Sequence, residues 1–184
     1  MKTLKQRYFT LFGIVGPLIA MVFIGLSIVL SPWFNWSQNA LSDLGHSVNS
    51  DVAALFNFGL LLTGFFVTLY SLTIFCNYAK KTSYFLVFTG LFLQFIAMFD
   101  EVYGSLHFIV SVMFFVALTF ASISYSLEKK SLLAGLAAIV STLSWIMYGL
   151  DFYNSGIAVP EIMSCVAGSL WVVHSSFRLW TSNN

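Results

Sequence analysis

The few charged residues of this chain stand at the edges of long apolar runs, and those runs are long enough to cross a bilayer. A membrane-spanning helix needs about 20 predominantly apolar residues. Such runs are expected at about 9–30, 52–75, 84–99, 106–127, 132–150 and 160–179, joined by short polar connections. Of the 184 residues, 59% are hydrophobic and 8% charged, whereas a soluble domain carries about a quarter charged. No arrangement of such a chain covers a water-facing surface with polar groups. That excludes a soluble enzyme and a disordered regulator, and a net charge of +1 leaves no basic footprint for nucleic acid. The expected fold class is all-α, a polytopic six-helix transmembrane bundle, with residues 1–184 forming a single transmembrane domain.

The positions of the charges set an orientation. Numbering the connections alternately puts Lys2, Lys5, Arg7, Lys80, Lys81, Lys129, Lys130 and Arg178 on one side. Asp43, Asp51, Asp100, Glu101, Asp151 and Glu161 fall on the other, and Glu128 alone joins the bases. The positive-inside rule then places both termini in the cytoplasm. The first run follows bases, as a secretory signal does, but it is long for one and lacks a small-x-small cleavage site before Pro32. It reads as a retained anchor, with Gly13, Gly16 and Pro17 pointing to a kink or a close helix contact. Cys76 and Cys165 sit in separate apolar runs and read as packing residues.

Polar chemistry is therefore expected at the outer mouth of the bundle. The longest outer connection, 31–51, contains Asn39-Ala40-Leu41-Ser42-Asp43-Leu44-Gly45-His46. Ser42 or Asp43 suits the cap of a short helix or turn, and Gly45 suits a left-handed backbone. Trp33, Phe34 and Trp36 read as interfacial anchors. The segment is either a structural re-entrant turn or the lid or floor of an outward-facing site.

The connection Asp100-Glu101-Val102-Tyr103-Gly104-Ser105-Leu106-His107 is a tight turn that fixes two acids and a histidine. Ser111 lies one helical turn deeper than His107 on the same face. His107 there is a candidate general base, metal ligand or partner for a lipid phosphate. Glu161 follows Pro160 in the first turn expected for the last helix, where the helix dipole favours an acid. His46, His107, Asp43, Asp100 and Glu161 would form a candidate set for a divalent metal such as zinc with one position open for water, although no pair has diagnostic ligand spacing. His174, near the cytoplasmic end, reads as structural.

Within the spans, three stripes share a face: Asn57, Gly64 and Ser71; Gly90, Gln94, Ala97 and Glu101; Ser164, Gly168, Trp171 and Ser175. Small residues in such stripes signal close helix packing. The middle stripe ends on Glu101, so Gln94 is expected to line a cavity below the outer site. With no lysine inside a span, a retinal Schiff base is excluded. With no charge at mid-bilayer, a proton-coupled transporter or voltage sensor is disfavoured.

Asn39-Ala40-Leu41-Ser42-Asp43-Leu44-Gly45 followed by Phe56-Asn57-Phe58-Gly59-Leu60 resembles the prokaryotic membrane proteins grouped as domain of unknown function 998. His107-Phe108-Ile109-Val110-Ser111 with Met113-Phe114-Phe115 is similar to that family's fourth span, and Ile157-Ala158-Val159-Pro160-Glu161 with Trp171 to its last. Asp100-Glu101 stands where the family pattern has a proline–acid pair, which leaves the two acids as alternatives for the matching position. More distantly, Ser42-Asp43 and a histidine opening the fourth span resemble the DRAM/Frag/Sfk six-span membrane proteins. That resemblance implies a lipid-related role, and the first implies a prokaryotic plasma membrane.

Three functions are open on these grounds. The first is a lipid-binding or scaffold protein with membrane lipids as partners and no soluble cofactor. The second is a membrane-embedded lipid-modifying hydrolase or transferase, with His107 as base or ligand, Asp43 and Glu161 as orienting carboxylates, and Asn39 and Ser42 as donors; His46, Asp100, Glu101 and Ser111 complete the candidate ligand-binding set. A transporter is the third, and it needs a continuous polar path that the chain lacks.

Overall fold

In the computed structural model, which describes residues 8–152 and 155–181, the apolar runs become helices and no strand occurs among the described residues. Six long helices follow one another: α1 Phe9–Val29, α2 Ala53–Tyr78, α3 Lys80–Met98, α4 Ser105–Lys129, α5 Leu132–Gly149 and α6 Ala158–Thr181. Each packs on the next, and α6 returns to α1, so the bundle closes into a ring. Beyond the long α1–α2 loop, short connections impose this antiparallel order, because a helix joined by a few residues can only fold back on its neighbour.

Five of the six, α1 to α5, are long and apolar enough to cross a membrane. α6 has 24 residues, but Glu161, Ser164, Ser175 and Ser176 dilute its hydropathy. Those residues are buried, while Met163, Val166, Leu170 and Phe177 face outward. The same inversion holds around the ring, where Leu18, Val22, Phe65, Phe88, Phe108 and Leu136 are exposed and serines, threonines and glycines lie between helices. Water would reject such a surface; hydrocarbon accepts it.

Connections alternate between two ends. One end holds Asp43, Asp51, Asp100, Glu101, Asp151 and Glu161, and the other Lys80, Lys81, Glu128, Lys129, Lys130 and Arg178. Lys2, Lys5 and Arg7 lie outside the described residues. The basic end is the tighter. The lysine pair 80–81 does not end a loop: α2 runs to Tyr78, only buried Ala79 intervenes, and α3 begins at Lys80 rather than at Tyr84. α2 gains length through a π-helical turn at Ser71–Phe75. The Ser71 and Thr73 hydroxyls there bond back to the carbonyls of Val67 and Leu69, each at 2.6 Å, and compete with the regular ladder.

Glu128, the one acid at the basic end, caps α3. Its carboxylate accepts from the Lys81 amide at 3.3 Å, the Thr82 amide at 3.0 Å and the Thr82 hydroxyl at 2.8 Å. An acceptor at a helix start satisfies donors that the helix leaves unpaired. Glu128→Ala is expected to destabilise the bundle by about 1 kcal/mol, read as a lowered melting temperature in detergent. An unchanged melting temperature would remove this capping role.

Small residues mark the tight crossings that the stripes point to. A Cβ on Gly64 would stand 2.5 Å from the Gly90 carbonyl oxygen, and one on Gly13 would overlap Ser176 and Tyr70. The α1 helix passes through buried Pro17, and Thr63 of α2 donates to the Gly16 carbonyl at 3.0 Å. The close contact expected at Gly13, Gly16 and Pro17 is therefore present, inside one continuous helix.

Candidate functional site

The acidic end is a set of loops held to helix ends by carboxylates. After α1, Trp33, Phe34 and Trp36 pack edge to face, with both tryptophans exposed. The chain then turns inward, and Leu41 and Leu44 are buried. A 3-10 turn at Ser42–Gly45 follows. Asp43 closes it, because its Oδ2 accepts from the Asn39 amide group at 2.7 Å and the Ala40 N–H at 3.0 Å. Gly45 is not in the left-handed conformation expected for it. It is required for space: a Cβ there would meet Asn57 Oδ1 at 2.5 Å, and Asn57 Nδ2 donates to the Gly45 carbonyl at 2.8 Å. Among the described glycines, the one with a positive φ, 51°, is Gly104 ahead of α4.

Three carboxylates then bind this loop, one from α6 and two from the connection between α3 and α4. Glu161 accepts the buried Leu41 amide at 2.6 Å, and Glu101 accepts the Ser42 hydroxyl at 2.6 Å. Asp100 accepts the Ser47 amide at 3.1 Å and, at its other oxygen, the Val102 amide at 3.0 Å. The two adjacent acids take different partners: Glu101 meets Ser42 and Asp43, and Asp100 ties the loop to the 3-10 turn Glu101–Tyr103. The segment before α6 joins from the third side, with the Gly156 amide on the Trp36 carbonyl at 2.8 Å and the Ala158 amide on the Asn39 carbonyl at 3.0 Å.

These environments separate the acids electrostatically. Burial pushes Glu101 up to about 7, and the adjoining Asp43 carboxyl adds to the rise, while the Ser42 hydroxyl and His46 work against it. Burial acts upward on Asp100 too, but the hydrogen bonds from Ser47 and Val102 outweigh it and hold this acid below its ordinary range. Between the ordinary glutamate value and about 7, the folded chain keeps the Glu101 proton that the unfolded chain has lost. Stability from this group is therefore full at low pH and lost as pH rises through about 7. Glu101→Gln, which resembles the protonated acid, is expected to match the wild type near pH 5 and to melt higher above pH 8. Parallel melting curves for the two proteins across that range would contradict this.

The expected metal set does not assemble. Among the described residues no three His, Cys, Asp or Glu side chains stand where they could hold a metal ion. His46 turns back on its own loop, its Nδ1 near the Val48 and Asn49 amides at 3.3 Å and its Nε2 near Asn49 Nδ2 at 3.1 Å. His107 is buried in the first turns of α4. Its Nδ1 lies 2.8 Å from the Phe99 carbonyl and its Nε2 3.4 Å from the Ser111 hydroxyl, the neighbour expected one turn deeper. Gln94 does not line a cavity beneath the site. It bonds to Gly90 of its own helix at 3.2 Å, beside the Gly64 crossing.

Two spaces meet under the loops. A cavity of about 40 Å³ lies below Leu41 and Ser42, with Ser111, Phe115, Glu161 and Cys165 in its walls. The larger space, about 370 Å³, is a groove between α4 and α5. Phe108, Ser111, Ile157 and Glu161 surround one part of it, and Thr119 and Thr142 line it further along. Ser111, Phe115 and Glu161 are common to both spaces and so form the wall between them. Phe115 and Trp145 pack at 4.9 Å along the groove, and Trp145 is fixed by its indole N–H on Ser164 at 3.1 Å. At the basic end the same helices close up, where Gly135 lies against Ser126. Thr119, Thr142 and Trp145 were not singled out from the sequence. For Thr119 the one signal is that Ser111, Phe115 and Thr119 recur every four residues on one face of α4.

A family model described as "Protein of unknown function (DUF998)" matches residues 14–178. No curated protein and no solved structure matches the chain. The more distant likeness to the DRAM/Frag/Sfk proteins rests on its sequence motifs alone.

Proposed function

We propose a lipid-binding function for this chain, which belongs to the DUF998 family of proteins of unknown function: it holds one membrane lipid, its acyl chain in the α4–α5 groove and its polar end at the carboxylate-tied loops. The whole chain is then a single membrane domain of six spans. The polar residues of α6 face its neighbours, so a sixth crossing exposes mainly apolar side chains. Both termini then lie in the cytoplasm and the acidic end outside, by the sorting of the bases, in a prokaryotic plasma membrane.

The groove carries this reading. Its volume, about 370 Å³, is within the range of about 300–1,000 Å³ usual for small-molecule sites. Phe108 and Phe120 mark its extent along α4. They are separated by about 18 Å at 1.5 Å per residue, against about 15 Å for one leaflet of hydrocarbon. The groove therefore reaches from the acidic end to about mid-bilayer, the depth of one acyl chain. A second groove, between α3 and α4, is walled by Phe85, Phe88, Phe92 and Phe120 and has no polar group at its head. Of these two grooves, the α4–α5 one joins apolar walls to Ser111 and Glu161, as an amphiphile requires.

The test is to fill it. Thr142 is exposed on α5 and lines this groove, so Thr142→Trp occupies the space without entering the core. The wild type is expected to co-purify with about one lipid per chain. The variant is expected to lose at least about tenfold of it, equivalent to about 1.4 kcal/mol of binding, at an unchanged melting temperature. Equal lipid content in the two would contradict the proposal.

A further inference from the structure

The groove wall carries a hydroxyl paired with an imidazole. Ser111 Oγ is 3.4 Å from His107 Nε2, and His107 Nδ1 is 2.8 Å from the Phe99 carbonyl. A carbonyl oxygen can only accept, so Nδ1 carries the hydrogen and the neutral ring presents its Nε2 lone pair to Ser111. His107 is 8% exposed, which limits the bulk water that reaches that lone pair. A serine hydroxyl, an imidazole base and a fixed acceptor orienting the far nitrogen are the three parts of an activated nucleophile. A helical Ser–His pair with only a packing role has no need of open space beside its hydroxyl, whereas Ser111 borders both the groove and the inner cavity. It stands about 9 Å along α4 from Ser105, six residues at 1.5 Å each, near the level where the acyl chains of a leaflet meet their ester groups.

We propose that Ser111 is the nucleophile and His107 the general base of an esterase site that cleaves the acyl ester of a lipid seated in the α4–α5 groove. This rests on the lipid-binding reading and adds a reaction to it. Ser111 Oγ attacks the ester carbonyl carbon while its proton passes to His107 Nε2. The tetrahedral intermediate collapses, the ester C–O bond breaks, and the imidazolium returns the proton to the leaving alkoxide, releasing the lipid alcohol. Water, deprotonated by Nε2, then attacks the acyl-Ser111, and the acyl group departs as a carboxylic acid with Ser111 restored. Asp43, Asp100 and Glu161 hold the loops over the groove and take no proton in this sequence.

A long-chain alkyl fluorophosphonate reacts with an activated serine and displaces fluoride, so it serves as the probe. Incubated with the detergent-purified wild type, it is expected to add one phosphonyl group that peptide mass mapping places on Ser111. Ser111→Ala is expected to show no adduct, and His107→Gln to label at least about a hundredfold more slowly. Wild-type mapping needs no variant to fold, so it decides by itself. Bound lipid is counted in the same wild-type sample. Retained lipid with Ser111 unlabelled overturns the esterase and leaves the lipid-binding reading standing. A wild type with neither adduct nor lipid overturns both.

Discussion

Gly64→Leu is expected to cost about 3 kcal/mol or more, the upper end of ordinary overpacking, and to lower the melting temperature by at least about 6 °C. The reason is what a side chain would strike. A Cβ on Gly64 would be 2.5 Å from the Gly90 carbonyl oxygen and 2.7 Å from Gln94 Cγ, and a Cβ on Gly90 would be 2.7 Å from the Gly64 carbonyl. Side chains can rotate aside, but a helix carbonyl is fixed by its ladder, so α2 and α3 would have to separate along their length. Little hydrophobic force draws helices together inside lipid, and close backbone approach supplies the attraction instead. Gly25 provides the control, since a Cβ there meets nothing within 4 Å. Gly25→Leu is expected to melt at or slightly above the wild-type temperature. Fluorescence-detected size exclusion after heating measures both; equal melting of the two variants would contradict this account of the packing.

The second large effect is expected at Glu161. Its carboxylate is the acceptor for the Leu41 amide at 2.6 Å, and Leu41 is 4% exposed. Removing the acceptor leaves a buried N–H unpaired, which costs about 1–3 kcal/mol. The cost falls on the loop rather than on the whole bundle, because Leu41 leads straight into the Ser42–Gly45 turn. Glu161→Ala is therefore expected to speed hydrogen exchange across residues 39–46 by about tenfold to a hundredfold, with exchange in α2 and α3 unaltered. Glu161→Gln keeps a carbonyl oxygen in place and is expected to restore most of the protection. Wild-type exchange in Glu161→Ala would show that the loop is held by its apolar contacts alone.

These two sites differ in how far they were legible beforehand. Glu161, Asp43, Ser42 and Asn39 stood out because polar residues are scarce and the alternating connections assign them to one end. The structure joins them through the Leu41 amide, Asp43 and the Asn39 carbonyl. His107 and Ser111 were legible from helical spacing alone. His46 was not: its partners are the amides of Val48 and Asn49, and they follow from a loop conformation that no spacing encodes. Lys80 and Lys81 misled for a physical reason, since a lysine stem can lie along a helix while its ammonium reaches the interface, so a charge need not end a helix. The role of Gln94 failed because a side-chain amide can bond within its own helix instead of facing a cavity. The α4–α5 groove was invisible, because it depends on how far apart two helices stand.

Photocrosslinking tests the lipid-binding claim most directly. A phospholipid bearing a diazirine midway along one acyl chain, mixed at low proportion into vesicles holding the protein, marks whatever side chains that chain touches. The account predicts adducts concentrated on Val112, Thr119, Thr142 and Ile146, which line the groove, and their loss in Thr142→Trp. Adducts spread evenly over outward residues such as Val22 on α1 and Phe88 on α3, and unchanged by that substitution, would contradict it.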